Sequence, residues 1–118
     1  MAELNAEMLL GDAMFDYDQS EIRADAQPVL QMNATYLQRW TSTRVTVEGH
    51  ADSRGTNEYN LALGDRRAAA VRDYLATLGV DAARILPVTR GEESPQCVTE
   101  DEGCWQRNRR GHFVFTAK

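Results

Sequence analysis

The chain has 118 residues, 42% of them hydrophobic, with 18 acidic against 13 basic side chains and a formal net charge of −5. That length suits one domain with a single core, spanning residues 1–118, and not two. The acidic surplus argues against a general nucleic-acid binder, which needs a basic face to release counterions, and no apolar run is long enough to cross a bilayer as a helix.

Met1 is followed directly by a polar, helix-prone stretch without the pattern of a signal peptide, so the start is expected to be a fragment boundary or a mature N-terminus. Ala13-Met14-Phe15 is short and apolar and runs into Asp16-Tyr17-Asp18-Gln19-Ser20, a polar, turn-rich loop. From about Ala24 to Trp40, the positions Ala26, Val29, Leu30, Asn33, Leu37 and Trp40 recur at helical spacing, and Pro28 is tolerated in a first turn. Arg44 to His50 alternates as a half-buried strand, with Val45 and Val47 on one face and Thr46 and Glu48 on the other. A second helix is predicted from about Glu58 to Leu78, closed by Gly79 as a left-handed cap.

Val80 to Arg84 form a turn, and Ile85 to Thr89 a strand whose Pro87 requires an edge position or a bulge. The segment from Gly91 to about Gln106 reads as a loop, and Gly111 to Thr116, alternating around Phe113 and Phe115, as the closing strand. The order β-α-β-α-β-β predicts an α+β fold with two main helices packed on one face of a mixed sheet. Within it, Arg44–His50 and Ile85–Thr89 pair in parallel through the long helix as crossover.

Cys97 and Cys104 sit in the acidic loop, six residues apart. Two thiolates are too few for a structural zinc site, and the spacing is too long for a C-x-x-C redox pair. A disulfide closing a small loop, which implies an oxidising compartment, and two incidental thiols remain open; the disulfide is the expectation. His50 and His112 each occupy a strand without further ligands nearby, so no metal and no cofactor are expected. Arg107, Arg109 and Arg110 read as a small, solvated basic loop.

The stretch GHADSRGTNEYNLALGDRRAAAV, from Gly49 to Val71, carries the chemistry. At about 100° per residue, Val71, Leu75 and Leu78 define the buried face of the long helix. Asn60 and Gly64 fall about 20° from Val71 and Arg67 about 40°, whereas Asp65 and Arg66 point away. A guanidinium aimed inward needs a partner, because an unpaired buried charge is costly by several kcal/mol. Asp52, just past the preceding strand, is the obvious anion. Two readings follow: a structural Asp52–Arg67 ion pair, or a pocket in which both charges wait, partly hydrated, for a zwitterionic ligand. The pocket reading expects Asp52→Asn to leave stability almost unchanged. Gly64 favours it, since a glycine inside a helix is unfavourable by ~1 kcal/mol and needs a packing or access reason.

The run from Gly49 to Ala68, together with Phe15-Asp16-Tyr17-Asp18-Gln19-Ser20-Glu21-Ile22 and Asn108-Arg109-Arg110, resembles the signature of OmpA-like domains, in particular the peptidoglycan-associated lipoproteins among them. The likeness extends from about Gly11 to Phe115. It implies the OmpA-like two-layer sandwich and non-covalent binding of peptidoglycan through the diaminopimelate of its stem peptide, tethering an outer membrane to the wall from its periplasmic face. By position, Asp52 would accept the side-chain ammonium and Arg67 clamp the carboxylate, as a zwitterionic head group requires. Backbone N–H groups of the Phe15–Asp18 loop would share that carboxylate, and Thr56, Asn60 and Leu63 would line the pocket. The resemblance also implies TolB, a periplasmic propeller protein, as partner within the Tol-Pal system. An outer-membrane porin or a flagellar motor stator is the alternative source of such a domain. A wall-cleaving enzyme using Asp16, Asp18 and Asp52 is the competing class, set aside because the first two lie in a turn where aspartate bonds locally.

Overall fold

Alternation puts Val45 and Val47 on the buried side of the strand Arg44–His50, here β2, which is the axis of the molecule. The computed structural model describes residues 10–52, 54–91, 98 and 100–117. Before β2 come β1 (Ala13–Met14) and α1 (Ala26–Arg39), and after it α2 (Asn57–Thr77). A 3-10 turn (Ala82–Arg84) leads to β3 (Ile85–Gly91), followed by α3 (Glu102–Asn108) and β4 (Arg110–Ala117). The strands form one sheet in the order β1-β4-β2-β3, with β2 and β3 parallel and the other two pairs antiparallel. The parallel crossover is therefore as expected. Pro87 lies on the edge strand β3, where its missing N–H can face away from the ladder.

Leu30 and Leu37 of α1, Val71 and Leu75 of α2, and Val45, Val47 and Phe113 of the sheet share one buried cluster. Pro28 falls in the first turn of α1, but Trp40, counted into its apolar stripe, is the C-cap and half exposed. The long helix α2 starts on Thr56, whose side chain accepts from Tyr59 N, and stops at Gly79 with φ +100°. Two bonds, Val80 N to Leu75 O and Gly79 N to Ala76 O, make that stop a Schellman motif.

The helix α3 is a correction to the loop expected between Gly91 and Gln106. It is seven residues long, too short to give a periodic signal, and is nucleated by Asp101, whose side chain accepts from Cys104 N. Glycine decides how closely α2 lies on β2. A Cβ on Gly64 would stand 2.5 Å from Gly49 O and also overlap Thr89 Oγ1. A Cβ on Gly49 would run into Gly64 O. The two backbones meet without side chains between them, and this contact brings the first half of α2 over the C-terminal end of β2.

Candidate functional site

Arg67 is completely buried, on the face of α2 that the helical angles assign to it. It pairs with no carboxylate among the described residues. Its Nε donates to Gln19 O at 2.8 Å, Nη1 to His50 O at 2.8 Å and Nη2 to Asp16 O at 2.9 Å, and the guanidinium lies 5.2 Å from the Phe15 ring centre. A guanidinium has five N–H donors; these bonds use three, leaving two without an acceptor among the described residues. Burial, then the nearby Arg109, pushes its pKa down to about 10, so it stays cationic at neutral pH. Its three carbonyl partners stitch the loop after β1 to the end of β2.

The Asp52–Arg67 ion pair left open by the sequence is replaced by another arrangement. Asp52 is 3% exposed and takes two other guanidiniums. Oδ1 accepts from the backbone N of Arg54 at 3.0 Å and its Nε at 3.2 Å, and Oδ2 from Arg54 Nη2 at 2.8 Å and Arg109 Nη1 at 3.2 Å. Burial alone would raise the Asp52 carboxyl, but bonds from the Arg54 side chain and backbone and from Arg109 outweigh it and hold the group below its ordinary value. Arg54 in turn lies between two aromatic faces, 3.9 Å from the Tyr17 ring centre and 4.0 Å from that of Trp105. Its pKa is raised, chiefly by the hydrogen bonds to Asp52.

Arg109 corrects the reading of a solvated basic loop. It is 2% exposed and anchored by Nε to Phe15 O at 2.9 Å, and by Nη2 to Glu102 at 2.8 Å and Gln106 at 3.1 Å. Asp52 and Arg67 are both buried, so the idea of two partly hydrated charges open to solvent is also corrected.

Between these groups lies a hollow of about 40 Å³, lined by Tyr17, Asp18, Ala51, Asp52, Arg54, Gly55, Tyr59, Asn60, Leu63 and Arg67. Five of the residues singled out in the sequence therefore meet: Asp18, Asp52, Asn60, Leu63 and Arg67. Asn60 Nδ2 donates to Asp52 O at 3.3 Å and Arg54 O at 2.9 Å, fixing the loop that carries both. Asp18, at φ +58°, accepts from the Tyr59 hydroxyl. The other two lie elsewhere. Thr56 caps the helix, and Phe15 is a core residue whose N–H already donates to Arg109 O at 2.9 Å. The N–H groups of Tyr17 and Asp18 donate to nothing among the described residues, so within that loop they remain open to an anion.

Sequence reasoning missed Arg54, Arg109, Tyr17 and Trp105. Only Arg54 carried a local signal, two residues after Asp52. Cys104 is buried in α3, while Cys97 lies outside the described residues. His50 bonds Glu48, two residues back on the same strand, His112 bonds Asp12, just before β1, and no metal-binding cluster occurs among the described residues.

The sequence profile of the OmpA family matches residues 14–109. The chain is 55% identical over 107 residues to the peptidoglycan-associated lipoprotein of Agrobacterium fabrum, covering 90% of this chain and 60% of that one. It is 53% identical to the protein of the same name from Brucella melitensis, covering 90% and 64%. The chain thus spans less than two thirds of the length of these relatives. Its structure resembles that of the peptidoglycan-associated lipoprotein from Burkholderia pseudomallei, with a TM-score of 0.85, 40% identity and 88% of both chains covered. The C-terminal domain of Helicobacter pylori MotB shares the fold at a TM-score of 0.83 and 18% identity, over 92% of this chain and 86% of that one.

Proposed function

The chain belongs to the OmpA family, and from that premise we propose that it binds peptidoglycan non-covalently by the diaminopimelate of the stem peptide, and so ties an outer membrane to the wall. The observation that carries this reading is Arg67: a buried guanidinium held by three carbonyls, with two N–H groups left without an acceptor among the described residues, on a hollow that Asp52 also lines. A carboxylate fits the free side of that fork, helped by the N–H groups of Tyr17 and Asp18. The adjacent ammonium then falls to Asp52. In the whole protein the domain works at the periplasmic face of the outer membrane, and TolB is the protein partner this reading implies.

It is a binding domain and not an enzyme. A glycosidase needs one carboxylic acid kept protonated, whereas Asp52 is held ionised by two guanidiniums. Asp16 is exposed and pairs only loosely with Arg23, at 3.6 Å.

Adjacent arginines provide the test. Arg66 is exposed, its guanidinium 5.8 Å from the Tyr59 ring centre. Arg67→Ala should abolish pull-down with purified sacculi, and Arg66→Ala should leave it nearly intact. Walls with lysine at the diaminopimelate position, lacking the distal carboxylate, should bind the parent protein poorly. Equal losses from both arginines, or equal binding to both walls, would refute the reading.

A further inference from the structure

The narrow hollow, about 40 Å³, is bordered at Asp52 by the Arg54 guanidinium, which already stands where the ligand's ammonium would bind. The carboxylate of Asp52 is also fully engaged: an ionised carboxylate offers about four acceptor sites, and the bonds from Arg54 and Arg109 number four. An incoming ammonium can reach Asp52 only if one cation withdraws.

The two guanidiniums differ in what holds them. Arg109 is buried and tied to Phe15 O, Glu102 and Gln106 besides Asp52, so its departure would break four contacts at once. Arg54 is 30% exposed at the rim, and among the described residues its side-chain hydrogen bonds go to Asp52 alone. Its other contacts there are the faces of Tyr17 and Trp105 and a distant Glu102 oxygen at 3.8 Å. A guanidinium stacked between rings can slide outward and keep part of that contact. It also lines the hollow, so the same movement enlarges the space.

Resting on the diaminopimelate reading, we propose that Arg54 is the resident cation of this site: in the empty protein its guanidinium fills the position at Asp52 that the ligand's ammonium takes, and binding exchanges one for the other. The exchange keeps Asp52 paired at every stage, which avoids leaving a buried anion alone. It also sets specificity. A ligand with a carboxylate but no ammonium leaves Arg54 in place, and one with both must outcompete it.

The test is calorimetric titration of the full chain with two tripeptides: L-alanyl-γ-D-glutamyl-meso-diaminopimelate, and the same peptide carrying 2-aminopimelate, which keeps the distal carboxylate and lacks the distal ammonium. Arg54→Gln should bind the diaminopimelate peptide about tenfold more tightly than the parent, because the competing charge-assisted bonds are gone. Its affinity for the aminopimelate peptide should stay near the parent value. Trp105→Leu, which opens one side of the aromatic slot, should shift the same peptide in the same direction by less, and it decides the matter if Arg54→Gln does not fold. Weaker binding of both peptides by similar factors would mean that Arg54 only shapes the loop; the inference then falls while the wall-binding reading stands. If the parent binds neither peptide, the wall-binding reading itself fails, and the inference with it.

Discussion

Gly64→Ala should destabilise this protein, although the same change in an unconstrained helix is stabilising by ~1 kcal/mol. The new Cβ would stand 2.5 Å from Gly49 O, 0.5 Å inside the 3.0 Å below which such contacts essentially never occur. Thr89 can swing its hydroxyl aside by giving up its bond to Leu61 O, a loss of about 1 kcal/mol. Gly49 O cannot yield so easily, being backbone within the β2–β3 ladder. Lifting α2 off the sheet belongs with overpacking changes, which are unfavourable by about 1–3 kcal/mol. After the helix-propensity gain, the net loss is about 1–3 kcal/mol, or a melting temperature lower by roughly 5–15 °C. Binding should weaken as well, because Arg67 is one turn further along α2 and donates to the carbonyl of His50, the residue after Gly49. Differential scanning calorimetry with sacculus pull-down reads both effects. Ala62→Gly, at an exposed position of the same helix, is the comparison: a loss of up to ~1 kcal/mol with binding retained. A Gly64→Ala protein that melts at or above the parent would show that the backbone contact does not set the helix position.

Asp52→Asn reverses the stability expected from sequence: it removes the only buried carboxylate that Arg109 meets among the described residues and leaves it the exposed Glu102, so urea denaturation should show a loss of about 3 kcal/mol, and an unchanged midpoint would mean that Glu102 alone compensates Arg109. His50 is buried with its Nδ1 bonded to nothing among the described residues, and burial followed by the charge of Arg110 lowers its pKa to about 4, against the weaker opposing pull of Glu48 and with His112 adding to the shift. The unfolded chain therefore takes up the proton first as pH falls, and stability on the order of 3 kcal/mol should be lost between about pH 6.5 and 4. His50→Gln should remove most of that slope, and parallel pH profiles for the two proteins would contradict the assignment. Cys97 and Cys104 should be bonded in protein made in an oxidising compartment. Reduction should then lower stability by about 2–3 kcal/mol with pull-down largely retained, and mass spectrometry finding two free thiols would dispose of the pairing.

Angles alone placed Asn60, Gly64 and Arg67 on the buried face of α2, because a helix of this length repeats its register often enough to be unambiguous. Gly79 and Pro87 were equally legible, each answering to a single backbone rule. The partner of Asp52 was not. Angles report which way Arg67 points and say nothing of which acceptors await it, and backbone carbonyls from Asp16, Gln19 and His50 fill that role. Arg109 looks locally like Arg107; what buries it is Asp52, 57 positions away, and Phe15, 94 positions away. Trp105 stayed hidden because α3, at seven residues, is too short to show a period.

That span of 94 positions has a consequence for how the molecule is made. The bond from Arg109 to Phe15 O joins the region of β1 to that of β4, and among the described residues β1 pairs with no strand except β4. During synthesis the loop after β1 emerges early and must wait for almost the whole chain before its anchor exists. Contacts of such long separation are slow to close, and an incomplete sheet exposes the unpaired edge of β2 in the meantime. Affinity for the wall would then be acquired in the last step of folding, so capture by the wall would retain molecules whose two ends have already met and let half-made ones pass.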